Sequence, residues 1–156
     1  MRPYDMVLRL LLAGGLGAVL GTEREFRRKP AGLRTNILIA IGAALFTMTS
    51  IVFAGSGGSS DRVAAQIVTG IGFLGAGAIL RFRGSVHGMT TAATIWVNAA
   101  IGMTAGVGAF SLAVAATAIT LIVLLVLPFI ENWFENRPVK EVKPAKPVKL
   151  VKPERS

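Results

Sequence analysis

Residues 89–130 contain no charged side chain, and that run decides what class of structure the chain can form. As a single helix it would be about 63 Å long, roughly twice the hydrocarbon thickness of a bilayer. It must therefore turn, and Gly106, Val107 and Gly108 are the expected hinge between a fourth and a fifth span. A second uncharged run covers residues 35–60. It predicts a helix over 33–54 that stops at the Gly/Ser stretch 55–60, which offers no apolar surface. Two further apolar segments, 6–22 and 63–80, bring the total to about five.

Composition agrees with this class. Hydrophobic residues make up 53% of the 156, charged residues 16%, and mean hydropathy is +0.62, unlike a soluble domain. The expected fold is all-α, a polytopic membrane protein. The net charge of +9 does not point to nucleic acid. The basic residues flank apolar runs and fill the last twenty positions, with no patch interleaved with aromatics. There is no cysteine, which excludes a disulfide framework, a thiolate zinc site and a thiol nucleophile. A cleaved signal peptide is disfavoured, because the first apolar core is followed by the basic stretch 23–30 and not by small residues.

Arg24, Arg27, Arg28, Lys29, Arg34, Arg81, Arg83 and the tail fall on one face under alternating crossings, whereas Arg2, Arg9 and Arg62 fall on the other. The positive-inside rule then predicts an external amino terminus and a cytoplasmic carboxyl terminus, with four crossings plus a re-entrant segment as the competing arrangement. Residues 1–130 form the expected transmembrane domain. Residues 131–156 form an interfacial segment with Trp133 and Phe134, then a disordered Lys-Pro-Val near-repeat. Lys140, Lys143, Lys146, Lys149 and Lys152 there either hold anionic lipid headgroups or serve as a solvated tether.

A shift of 56 positions aligns Gly14, Gly21, Phe26, Arg27, Gly32, Thr35, Ile39, Ala43 and Ala44 with Gly70, Gly77, Phe82, Arg83, Gly88, Thr91, Ile95, Ala99 and Ala100. This predicts a parallel repeat of two helical hairpins plus a fifth helix. Chance matching within Gly- and Ala-rich sequence is the competing account.

Glycine costs about 1 kcal/mol in a helix interior, so its repeated use here needs a reason. Gly17 with Gly21 and Gly102 with Gly106 are GxxxG pairs, and Gly70, Gly72, Gly75 and Gly77 punctuate the third helix. Close backbone approach inside the bundle is the expected role. A glycine face that docks a partner helix, from another membrane protein or from a second copy in a homo-oligomer, is the alternative. Gly70, Gly72 and Gly75 also spell GxGxxG, but inside a span and without a preceding strand, so dinucleotide binding is rejected.

None of the eight acids sits mid-span. Neither a magnesium site nor a proton-coupled carrier has its usual carboxylate, and no Ser, His and acid converge on a catalytic spacing. No cofactor, metal or catalytic residue is expected. His87 reads as a solvated interface residue. A border cluster remains: Glu23 paired with Arg24 or Arg34, with Arg81 and Thr90 in comparable places in the second hairpin. Plain snorkelling of charge is its alternative. Asn36, Gln66 and Asn98 are expected to hydrogen-bond between helices.

The segments GAVLGTER (17–24), GLRT (32–35), QIVTGIGFLGAG (66–77) and GMTTAATIW (88–96) resemble the signature segments of the MgtC/SapB family, over about residues 8–130. The resemblance implies a non-enzymatic bacterial inner-membrane protein with a five-helix transmembrane domain. Growth under magnesium limitation, stress response, virulence in some members and restraint of the F-type ATP synthase come with it. Thr35, Gln66, Thr91 and Trp96, which lie within these segments, are further candidate functional or packing positions. Fuller members carry a soluble cytoplasmic domain where this chain has its Lys-Pro tail, so roles resting on that domain are not expected. A small transporter or channel for a cation or polar solute is the alternative function, and it requires a continuous polar path through Gln66, Asn98 and the threonines.

Overall fold

The computed structural model describes residues 2–54, 61–82 and 85–135. Five helices follow in order: α1 Pro3–Phe26, α2 Leu33–Ala54, α3 Asp61–Gly77, α4 Met89–Val107 and α5 Phe110–Glu135. A two-stranded antiparallel hairpin, β1 Leu80–Phe82 with β2 Ser85–His87, lies between α3 and α4. The all-α membrane fold stands. α1, α2 and residues Phe110–Glu131 of α5 are each long and apolar enough to cross a bilayer. α3 is 17 residues and α4 is 19, near the lower limit for a span.

α1 starts on Pro3, whose fixed φ suits a first turn and whose missing N–H has no partner there to lose. It runs past the expected end at residue 22, because Glu23 and Arg27 are one helical turn apart and form an ion pair. Arg28 and Ala31 take left-handed backbone angles in the turn that follows. Glu25 then accepts the Leu33 backbone N–H at 3.1 Å, placing a carboxylate at the positive end of α2.

α2 is the centre of the bundle, clasped by both GxxxG pairs. A Cβ at Gly17 would fall 2.6 Å from the Asn36 carbonyl oxygen, and one at Gly21 would fall 2.7 Å from Leu33 Cα. On the other side, a Cβ at Gly102 would strike the Ala40 carbonyl, and one at Gly106 would come 2.7 Å from that of Ala44. α2 meets Gly17, Gly102 and Gly106 with Ala40 and Ala44, and Gly21 with Leu33 and Asn36. Ala40, Ala43 and Ala44 are all buried, so backbone approaches backbone on both faces and gains dispersion contacts that lipid cannot supply.

The same contacts fix direction. Asn36, Ala40 and Ala44 face Asn98, Gly102 and Gly106 in ascending order, so α2 and α4 run parallel. α1 opposes α2, as Gly14, Gly17 and Gly21 meet Ile41, Asn36 and Leu33 in descending order. α3 opposes α4, since Gly75 lies against Ala92 while Ala78, just past the end of α3, meets Gly88, just before α4. This is the predicted arrangement of two hairpins pointing the same way. The aligned sequence offset is 56, but the packed register is 62, as in Asn36 against Asn98.

At the hinge, α4 ends on Val107 and Gly108 adopts φ +96, donating its N–H to the Ala105 carbonyl. A side chain there would be strained and would also meet the Arg9 guanidinium, 2.7 Å from Nη2. Gly108→Ala is therefore expected to cost about 1–2 kcal/mol, read as a lowered unfolding midpoint in detergent. Gly15→Ala, where a Cβ meets nothing within 4 Å, should leave stability unchanged or slightly raised.

α5 runs through Pro128 to Glu135, so the helix continues five residues into the segment expected to be interfacial. A proline removes one hydrogen bond from a helix, but hydrocarbon offers the remaining backbone groups no water, so the helix is kept. The tail lysines from Lys140 onward lie outside the described residues.

Candidate functional site: a buried charge cluster

Glu23 and Arg24 sit in the last turn of α1, and both side chains are 5% exposed. Glu23 Oε1 lies 2.8 Å from Arg27 Nε, and Oε2 lies 3.9 Å from Arg24 Nη1. Arg24 Nη2 donates to the Thr91 hydroxyl at 3.0 Å, and Arg27 Nη2 reaches the Leu125 carbonyl at 3.5 Å. The cluster thus ties the end of α1 to the start of α4 and to the second half of α5. It holds two cations against one anion. Among the described residues, neither Glu23 oxygen makes an aligned hydrogen bond and Arg24 Nε finds no partner, so the burial of these charges is only partly compensated there.

Of the expected members, Glu23 and Arg24 do come together, and Thr91 joins them. Arg34 does not. It is exposed on α2 and forms no ion pair among the described residues. Arg27 takes its place, a partner legible as Glu23 plus four. Thr90 is exposed, with its carbonyl accepting from Thr94 Oγ1 at 2.8 Å, so Arg24 meets the next threonine. Arg81 lies exposed on β1, paired across the hairpin with Val86. Among the described residues, the second hairpin therefore contributes Thr91 and no cation.

The asparagines form a separate site. Asn98 Nδ2 donates to the Asn36 backbone carbonyl at 2.7 Å and to Asn36 Oδ1 at 3.1 Å, and both residues are fully buried. Asn36 Nδ2 in turn donates to the Ala31 and Gly32 carbonyls of the preceding turn. Gln66 is not part of this. It is exposed in a cleft between α2 and α3, which Thr35 and Gly70 also line. Trp96 is half exposed beside Ile67 and Ile71.

The α3 glycines overturn their expected packing role. A Cβ at Gly70, Gly72 or Gly77 would meet nothing within 4 Å, and at Gly75 it would make ordinary contact with Ala92 at 3.6 Å. Gly72 belongs to an outward stripe with Ala65, Thr69 and Ala76, all exposed and spaced to share one helix face. Sequence reasoning also missed Arg9, which donates to the Gly106 carbonyl at 2.7 Å and so holds the end of α4.

Among the described residues, no three His, Asp or Glu side chains gather as a metal-binding group. His87 stands on β2 with Nε2 3.0 Å from Ser85 Oγ.

The family model described as the MgtC family matches residues 10–133. Protein MgtC of Salmonella typhimurium is 53% identical over 121 residues, covering 78% of this chain and 51% of the relative. Protein MgtC of Brucella abortus is 51% identical over 114 residues, covering 72% and 48%. An uncharacterised protein of Synechocystis is 44% identical over 135 residues, covering 86% and 57%. The chain spans about half the length of these relatives, and no solved structure matches. With the matched segment running from α1 to the end of α5, the chain belongs to the MgtC family.

Proposed function

We propose that this protein is a non-enzymatic regulator of the bacterial inner membrane, linked to magnesium limitation or stress, that acts by binding another membrane complex. The F-type ATP synthase is the partner that the family resemblance suggests. The observation carrying this reading is the outward face of α3. Small residues at 65, 69, 72 and 76 are the kind that admit a second helix at close range, and Gly72 has no packing duty inside the bundle. The buried charge cluster ties the end of α1 to the start of α4, the helix against which α3 packs.

The transporter reading loses support from the polar groups themselves. Asn98 is sealed in the α2–α4 seam by Asn36, whereas Gln66 lies in a different compartment, the α2–α3 cleft.

Gly72→Leu is expected to accumulate and unfold like the parent protein, yet fail to restore growth of a deletion strain in low magnesium. A photo-crosslinking residue at position 72 should link to an ATP synthase subunit, while one at Leu112 on α5 should not. Full growth with Gly72→Leu, or crosslinks only to lipid, would remove this face from the mechanism.

We assign the amino terminus to the outside and the carboxyl terminus to the cytoplasm. The first loop, the β-hairpin and the end of α5 share one end of the bundle, and that end carries the arginine excess. A reporter active only outside the cytoplasm should work after Ser59 and fail after Lys29, Ser85 and Ser156. Activity at Ser156 sinks the five-span arrangement.

A further inference from the structure

α2 and α3 stand apart along much of their length, leaving a cleft in two connected parts. The apolar part has a volume of about 610 Å³ and is walled by residues such as Ile39, Ala43 and Ile71. The second part, about 600 Å³, continues toward the end of α2 and the start of α3, where Thr49 and Arg62 line it. Phe46, Val63 and Gln66 border both parts, so they form one continuous passage. Gly42 and Gly70 leave it open from opposite walls, since a Cβ at either meets nothing within 4 Å.

Size selects among occupants. A helix about 10 Å across fills roughly 80 Å³ per Å of length, so the apolar part would hold about one and a half turns of it. A spanning partner needs about 30 Å. A flexible hydrocarbon chain has no such minimum width. Charge selects further, because the passage runs from aliphatic side chains to a guanidinium at the bundle end. Among the described residues, no carboxylate lies within ion-pairing distance of Arg62. That polarity, tail then phosphate, is that of a phospholipid lying against the bundle.

We propose that the α2–α3 cleft binds an anionic phospholipid, with one acyl chain in the apolar part and the phosphate on Arg62. The site lies on the inner side of α3, distinct from the outward stripe, and does not depend on the partner assigned above. It also lies at the end of the bundle opposite the charge cluster, so it is separate from any headgroup binding by the tail lysines.

The test uses the full chain, purified in mild detergent and stripped of lipid. Phosphatidylglycerol should raise its unfolding midpoint by several degrees more than phosphatidylcholine with the same chains. Arg62→Gln should equalise the two lipids, and Gly42→Leu combined with Gly70→Leu should blunt the response to both. Since the double variant risks misfolding, a second measurement uses Phe46→Trp with Trp96 and Trp133 changed to Phe. Quenching of its fluorescence by acyl-brominated phosphatidylglycerol should exceed that by the choline lipid, and Arg62→Gln should abolish the excess. Equal responses of the unmodified chain to the two lipids would overturn the proposal. So would a glycerol-lipid preference that survives Arg62→Gln, or one that disappears instead on Lys140→Gln, Lys143→Gln and Lys146→Gln.

Discussion

Gly102→Leu is expected to collapse the bundle's central seam, with a loss of about 3 kcal/mol or more, the upper range for overpacking. The reason is the identity of the neighbour. A Cβ at position 102 would meet the Ala40 carbonyl and lie 2.9 Å from Ala40 Cα, and backbone cannot rotate aside as a side chain can. α2 would have to move away from α4, opening the Asn36–Asn98 hydrogen bonds and the Gly106–Ala44 contact with it. Gly17→Leu should behave alike on the α1 side, since its Cβ would fall 2.6 Å from the Asn36 carbonyl oxygen. Gly72→Leu should stay within about 0.5 kcal/mol of the parent, as surface changes do. Unfolding midpoints in one detergent compare all three. Equal midpoints for Gly102→Leu and Gly72→Leu would refute the clasp of α2.

Glu23→Gln is expected to cost about 3 kcal/mol, because it leaves Arg24 buried without its counter-charge. Distance alone would assign most of that to Arg27, 2.8 Å away against 3.9 Å for Arg24. Screening reverses the order. The Arg27 side chain is 33% exposed and Arg24 only 5%. Unit charges 4 Å apart interact by about 1 kcal/mol in water but about 4 kcal/mol at an effective dielectric near 20. Double-mutant cycles should therefore give a coupling of about 2 kcal/mol for Glu23 with Arg24, below about 1 for Arg27, and none for Arg34. A larger coupling to Arg27 would mean that water reaches the cluster. Thr91→Val should also weaken the cluster, by removing the hydroxyl that accepts from Arg24 Nη2.

What the sequence revealed and what it hid divide along physical lines. The limits of α2 and the break at Gly108 were legible, because a charge-free run and a helix-ending glycine are local signals. The GxxxG pairs of α1 and α4 were legible as close contacts, but their shared partner was not, since packing on alanines leaves no mark beyond small size. The α3 glycines misled for the same reason. A glycine that admits a neighbour and one that merely leaves a face bare look alike until the neighbour is located. Arg34 stands out in the sequence by its closeness to the membrane border, whereas helical spacing favours Arg27, four residues after Glu23. The short β-hairpin escaped notice because its paired residues, from Leu80 to His87, carry too few alternating apolar positions to separate it from a loop.

The buried asparagine pair has a consequence during synthesis. Asn36 and Asn98 are 62 residues apart, which at about 5–20 residues per second means about 3–12 s between their emergence from the ribosome. For that interval the nascent first hairpin holds Asn36 beside a groove that α4 has not yet filled. Its amide nitrogen is already bonded to the Ala31 and Gly32 carbonyls of its own turn, so only the carbonyl side waits for a donor. A side chain that bonds back to its own turn while keeping an acceptor in reserve lets the hairpin enter the bilayer early. It then marks where the later helix must stop sliding, so translation order itself becomes part of how the final register is chosen.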